Sequence, residues 1–191
     1  MSDITAHEAE RIAIEDTQKW LLEAVVGLNL CPFAKSVVVK DMVRYRVCAS
    51  VDPADVLALL REELQRLAAT DPEVLDTTLL IAPNALPDFL DFNDFLAACD
   101  EVLVDLELDG VLQVADFHPQ YQFGGTDVDD IENFTNRTPY PTLHLLREAS
   151  IDKAVEAYPD AAMIFERNIA VLNKLGHKGW AQLDITARLH N

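Results

Sequence analysis

Thr77-Thr78-Leu79-Leu80-Ile81-Ala82 is an uncharged run closed by Pro83-Asn84. A short, uniformly apolar run bounded by turn residues reads as a strand covered on both faces, which makes it the centre of a sheet. Working outward, Val43 to Val51 alternates apolar and mostly polar residues, the pattern of a half-buried strand. Between the two, Asp52 and Pro53 supply an N-cap and a first-turn proline for a helix running to about Thr70. Its core positions are Val56, Leu60, Leu64 and Leu67. On the other side, Pro87 opens a helix with Phe89, Phe92, Leu96, Cys99, Leu103 and Leu106 at steps of three and four. Asp105, Glu107 and Asp109 oppose the helix dipole, so this helix should stop near Val104. Val111 to Phe117 is a third strand.

Strand, helix, strand, helix, strand is the order of right-handed crossovers. The expectation is α/β: a small, mainly parallel sheet of three or four strands with helices packed on it. An N-terminal helix over residues 5–28 and C-terminal helices complete it. Residues 118–136 form a long loop with aromatic anchors at Tyr121, Phe123 and Phe134. Thr138 then caps a helix from Pro139 that turns Leu143 and Leu146 to the core. Ser150 and Asp152 start a short helix ended by Pro159, and a last helix runs from about Asp160 to Leu175, with Gly176 as its C′ residue.

The 191 residues are half apolar, enough for a single globular domain over 1–191 without a metal or disulfide staple. Acids number 33 against 15 Lys and Arg, and residues 67–136 carry 16 acids with no Lys or Arg. Such a stretch repels a phosphate backbone and an anionic membrane surface, which argues against both and favours a basic protein partner if the acidic face binds anything. Three scattered cysteines and the absence of a span-length apolar run or an apolar leader in the first ten residues suit a cytoplasmic protein. No motif implies a cofactor, and the oligomeric state is open.

Ligands gather outside the carboxyl ends of parallel strands, which here brings together Ser50 to Asp52, the Pro83-Asn84 turn and His118 with its loop. The enzyme reading places a small carboxylate or phosphate substrate there. Arg137 and Arg147 bind the anion with Asn84, Tyr140 and His144 around it, and the helix start at Thr138 adds N–H donors. His118 is the acid or base, Asp116 orients its ring, and Tyr121 and Asn136 orient the substrate. A second reading uses the same residues as scaffold. The arginines neutralise the acidic loop, His144 pairs with Glu148, and the chain is a non-catalytic binding or regulatory module. A third makes Asp116-x-His118 and His144-x-x-x-Glu148 metal ligands. Cys31-Pro32-Phe33-Ala34 lacks a resolving cysteine, so Cys31 is read as structural, and Gly124-Gly125 lacks the spacing of a phosphate loop.

Four segments carry a resemblance: Leu30 to Ala34; Phe117-His118-Pro119 with Tyr121; Asn136-Arg137-Thr138-Pro139-Tyr140-Pro141; and His144-Leu145-Leu146-Arg147-Glu148. Together they resemble the bacterial domain-of-unknown-function 1415 family, from the first helix to about residue 180. The resemblance implies a single cytoplasmic bacterial domain and no particular activity.

Overall fold

A computed structural model describes residues 5–157 and 163–190. Thr5 caps α1 (Ala6–Trp20), which runs on through a π-helical turn, Leu21–Val26. Then follow α2 (Ala34–Val39), β1 (Val43–Val47), α3 (Pro53–Ala69), β2 (Thr77–Ile81), α4 (Phe89–Asp105) and β3 (Leu112–Phe117). A 3-10 turn at Ile131–Thr135 precedes β4 (Thr142–Arg147), α5 (Glu148–Ala157) and α6 (Ile164–Gln182). Asp52 caps α3 through its carboxylate on the Ala54 N–H, with Pro53 at the first position. Asp88, not Pro87, caps α4. Gly176, at φ 62° and ψ 173°, breaks α6 where the left-handed backbone suits glycine. The expected helix start at Asp160 lies outside the described residues.

The sheet order is β1-β2-β4-β3. β1 pairs with β2 in parallel, whereas β4 runs antiparallel to both β2 and β3. The α/β class holds, but the sheet is mixed, which corrects the mainly parallel expectation. The cause lies in residues 139–147. The sequence TLHLLR forms strand β4, not a helix from Pro139, and it fills the gap that the β2–α4–β3 crossover leaves beside β2. A six-residue segment with three leucines cannot be assigned by their spacing alone, because Leu143 and Leu146 fit a helical step while Leu143, Leu145 and Arg147 fit a strand. Tertiary pairing decided it.

β2 is buried along its whole length, as its apolar run requires. One face of the sheet packs Leu80, Leu143, Leu145 and Leu112 against Val56, Leu60 and Leu64 of α3 and Phe92, Cys99 and Leu103 of α4. The other packs Leu79 and Ile81 under Trp20, Ala24 and Ala13, with Trp180 beyond. Fully burying one such aliphatic side chain is worth about 1.5–3 kcal/mol, so these two layers dominate stability.

Candidate functional site

The strand register disperses the proposed site. Phe117 at the end of β3 pairs with Thr142, but Arg147 pairs with Leu112 at the other end. Five residues of strand at about 3.3 Å each put some 16 Å between Arg147 and the His118 end. Arg147 is buried. Its Nη2 donates to the carbonyls of Leu67 (2.6 Å), Thr70 (2.7 Å) and Leu75 (3.0 Å), and its Nε to Leu75 at 3.3 Å. This guanidinium gathers carbonyls at the C-terminus of α3 and in the connection just beyond it, where the dipole favours a cation.

His118 is fully buried between the rings of Phe89 and Phe92, at centroid distances of 5.6 and 5.1 Å. Its Nε2–H donates to Leu86 O at 3.1 Å, and its Nδ1 accepts from the Gln120 N–H at 3.0 Å. Both bonds need the neutral Nε2–H tautomer. Burial lowers the imidazole pKa, against the raising effects of the Leu86 carbonyl and Asp88. Leu86 has φ 54°, a left-handed backbone that costs a non-glycine residue about 1–3 kcal/mol, and the histidine holds its carbonyl.

Arg137 reaches into the loop. Nε donates to Tyr121 O (3.1 Å), Nη2 to Val128 O (2.7 Å), and the guanidinium lies 4.5 Å over the Phe134 ring. Burial lowers its pKa, and Asp129 works against that. Tyr121 stacks between Phe89 and Phe123 at 5.1 and 5.0 Å; burial first, then Asp116, raises its pKa. Asn136 Nδ2 donates to Asp116 O at 3.3 Å. Asn84 Nδ2 ties the turn after β2 to Ala49 O at 2.9 Å. Thr138 starts no helix, so the expected N–H donors are replaced by its hydroxyl bonding Tyr140 O.

Tyr140, 1% exposed, donates from its hydroxyl to Asp16 Oδ2 at 2.7 Å on α1. Burial, then Asp16, raises its pKa. Arg188 closes the same carboxylate with its Nε and its N–H (2.9 Å). His144 bonds Thr77 across the strands, not Glu148. The Thr77 hydroxyl gives its hydrogen to Leu145 O (2.6 Å), so the 2.7 Å contact is His144 Nε2–H donating to Thr77 Oγ1. Burial pushes His144 down to about 4.

The lowered His144 pKa makes stability depend on pH. The unfolded imidazole binds its proton near pH 6.5 and the folded one only near 4, so this group's stability is whole above pH 6.5 and falls as pH drops between the two, by about 3 kcal/mol. Urea midpoints measured across pH 4–7 should show this slope, and His144→Gln should flatten it. An unchanged slope in the variant would refute the assignment.

The metal reading is corrected. Asp116 shares a sheet face with Leu143, its partner in register, whereas the neighbouring His144 projects from the opposite face. Among the described residues no group of three or more His, Cys, Asp or Glu side chains is close enough to hold an ion.

The sequence assigns no role to Asn133, Asp16, Arg188 or Glu63. Asn133 is fully buried; it accepts from Phe123 N (3.0 Å) and Thr126 Oγ1 (2.8 Å) and donates to Asp127 O (2.8 Å), which orders the acidic loop. Apart from the Glu63–Arg66 step of three on α3, spacing gives no signal for these residues, since their partners lie far along the chain or in irregular backbone.

A family model described as protein of unknown function (DUF1415) matches residues 12–182. The chain belongs to that family. No curated protein and no solved structure matches this DUF1415 chain. Among its described residues no helix is long and apolar enough to cross a membrane.

Proposed function

We propose that this DUF1415 chain is a non-catalytic binding module that receives a basic, amphipathic protein segment on the outer face of α4. One observation carries the reading: Leu90, Asp94, Ala97, Glu101 and Val104 are exposed and fall on one stripe of that helix at steps of four, three, four and three. Leu90 and Val104 are 70% and 64% exposed. Large exposed aliphatic groups set among charges mark contact surfaces more often than isolated ones do. Asp91, Asp100 and Asp105 flank the stripe, and a shallow hollow of about 300 Å³ opens between Ala97, Asp100, Glu101, Val104 and Asp105. Arg61, paired with Asp105 at 2.9 Å, supplies positive charge at its border.

The polar residues that a substrate would need support the same reading from the other side. His118 has both ring nitrogens bonded, and Arg137 and Arg147 aim Nε and Nη2 at main-chain carbonyls.

The probe is a labelled lysine–leucine amphipathic helix, followed by fluorescence anisotropy. The double substitution Asp94→Lys and Glu101→Lys should weaken binding by at least about tenfold, as reversal of close charge pairs does. Raising salt should weaken wild-type binding, since the screening length shrinks from about 10 Å at 0.1 M to about 3 Å at 1 M. Equal affinity for both proteins would overturn the proposal.

A further inference from the structure

We propose that the free edge of β1 binds an extended polypeptide segment of alternating acidic and apolar residues, taken up as an added strand. The backbone is the starting point. Met42 O accepts from Thr77 N (3.3 Å) and Cys48 N donates to Ile81 O (2.8 Å), so the even-numbered residues here turn their main chain to β2. In a parallel ladder the alternate residues then turn both N–H and C=O the other way. These are Val43, Tyr45 and Val47, and among the described residues no strand pairs with that edge. A row of free donors and acceptors is a template for one more strand.

An open hollow of about 530 Å³ wraps this edge. Ile14 and Tyr45 line it on one sheet face; Arg44, Arg66 and Val74 line it on the other, and Asp41 is the carboxylate on the lining. Behind the arginines sits Glu63, 2% exposed, on α3. Its carboxylate meets Arg44 at 2.6 Å, Arg66 at 3.6 Å and Arg46 at 3.8 Å. One buried carboxylate thus fixes three guanidiniums whose side chains stay 35–56% exposed, with N–H groups to spare. Arg46 also meets Glu10 at 3.9 Å. Glu63, Glu10 and Asp41 balance the three guanidiniums in number, so what this edge offers a carboxylate is their exposed, unspent N–H groups.

Charge and period together select the occupant. Arg44 and Arg46 stand two residues apart on one face, the repeat of same-face side chains in an extended partner. Glutamates at alternate positions would meet the arginines, where guanidinium–carboxylate pairs form charge-assisted bonds. The intervening apolar residues would face Ile14 and Tyr45.

The test uses a capped peptide of alternating glutamate and valine, titrated into the full chain and read by amide hydrogen exchange. Free protein should exchange Val43, Tyr45 and Val47 faster than Arg44 and Arg46. Peptide should slow the first three by about tenfold or more, because their opening becomes coupled to release. Arg66→Ala, at the most exposed of the three guanidiniums, should weaken binding by about fivefold, the loss of one close charge pair. A peptide of alternating lysine and valine should bind markedly more weakly, a comparison that holds even if the variant folds poorly. Equal binding of both peptides, or no protection of the three amides, would overturn the proposal. So would concentration-dependent protection without peptide, which would make a second copy of the chain the occupant.

Discussion

Replacing Arg147 with alanine is expected to lower the unfolding free energy by about 3–5 kcal/mol, the summed cost of taking a charged donor from three main-chain carbonyls. The residue is buried, and its partners are three main-chain carbonyls, Leu67, Thr70 and Leu75. Alanine takes this charged donor from all three oxygens, leaving Leu67 O only the 3.3 Å bond from the Thr70 N–H, and removes the cation from a helix C-terminus. Arg147→Lys should recover part of the loss, because an ammonium keeps the charge but lacks the planar fork that reaches several carbonyls. Urea unfolding followed by tryptophan fluorescence measures both. A loss under about 1 kcal/mol in Arg147→Ala would show that the guanidinium is not holding α3.

His118→Ala should cost about 3 kcal/mol, from the cavity between Phe89 and Phe92 and from two stranded partners, Leu86 O and Gln120 N. The effect should be local as well as global. With its carbonyl released, Leu86 has less reason to keep φ 54°, and the turn that leads into α4 loosens. Hydrogen exchange over residues 83–90 would register this, and unchanged stability and exchange would contradict a structural role. A reactive acid or base at a strand end would predict that contrary result, because removing a solvent-facing imidazole costs little.

What could be read from the sequence followed from local physics. The TTLLIA run lies in the centre of the sheet, and the heptad-like spacings of Val56 to Leu67 and Phe92 to Leu103 face the core as expected. The cap at Asp52 and the break at Gly176 belong to the same class, since each depends on neighbours within a few residues, whereas α4 is capped by Asp88, one residue past the Pro87 start read from the sequence. What failed to show was non-local. Whether TLHLLR becomes helix or strand is decided by the open position between β2 and β3, which no window of ten residues contains. Once β4 forms, Tyr140 and His144 move to one face, Arg147 to the other, and the cluster read along the chain dissolves. Polar side chains are dense over residues 117–148, but the partners of Arg137 and Arg147 are backbone carbonyls, and an arginine looks the same in sequence whether it holds a ligand or a helix end. The acidic stripe on α4 is visible as charge opposite the apolar seam, but nothing in its spacing says what it meets.

Two-dimensional ¹H–¹⁵N NMR, with the lysine–leucine amphipathic peptide titrated into labelled protein, tests the proposed role most directly. Perturbations should concentrate along residues 90–105, with His118, Arg137 and Arg147 undisturbed. Shifts centred on residues 118–137, or no shifts at all, would contradict it.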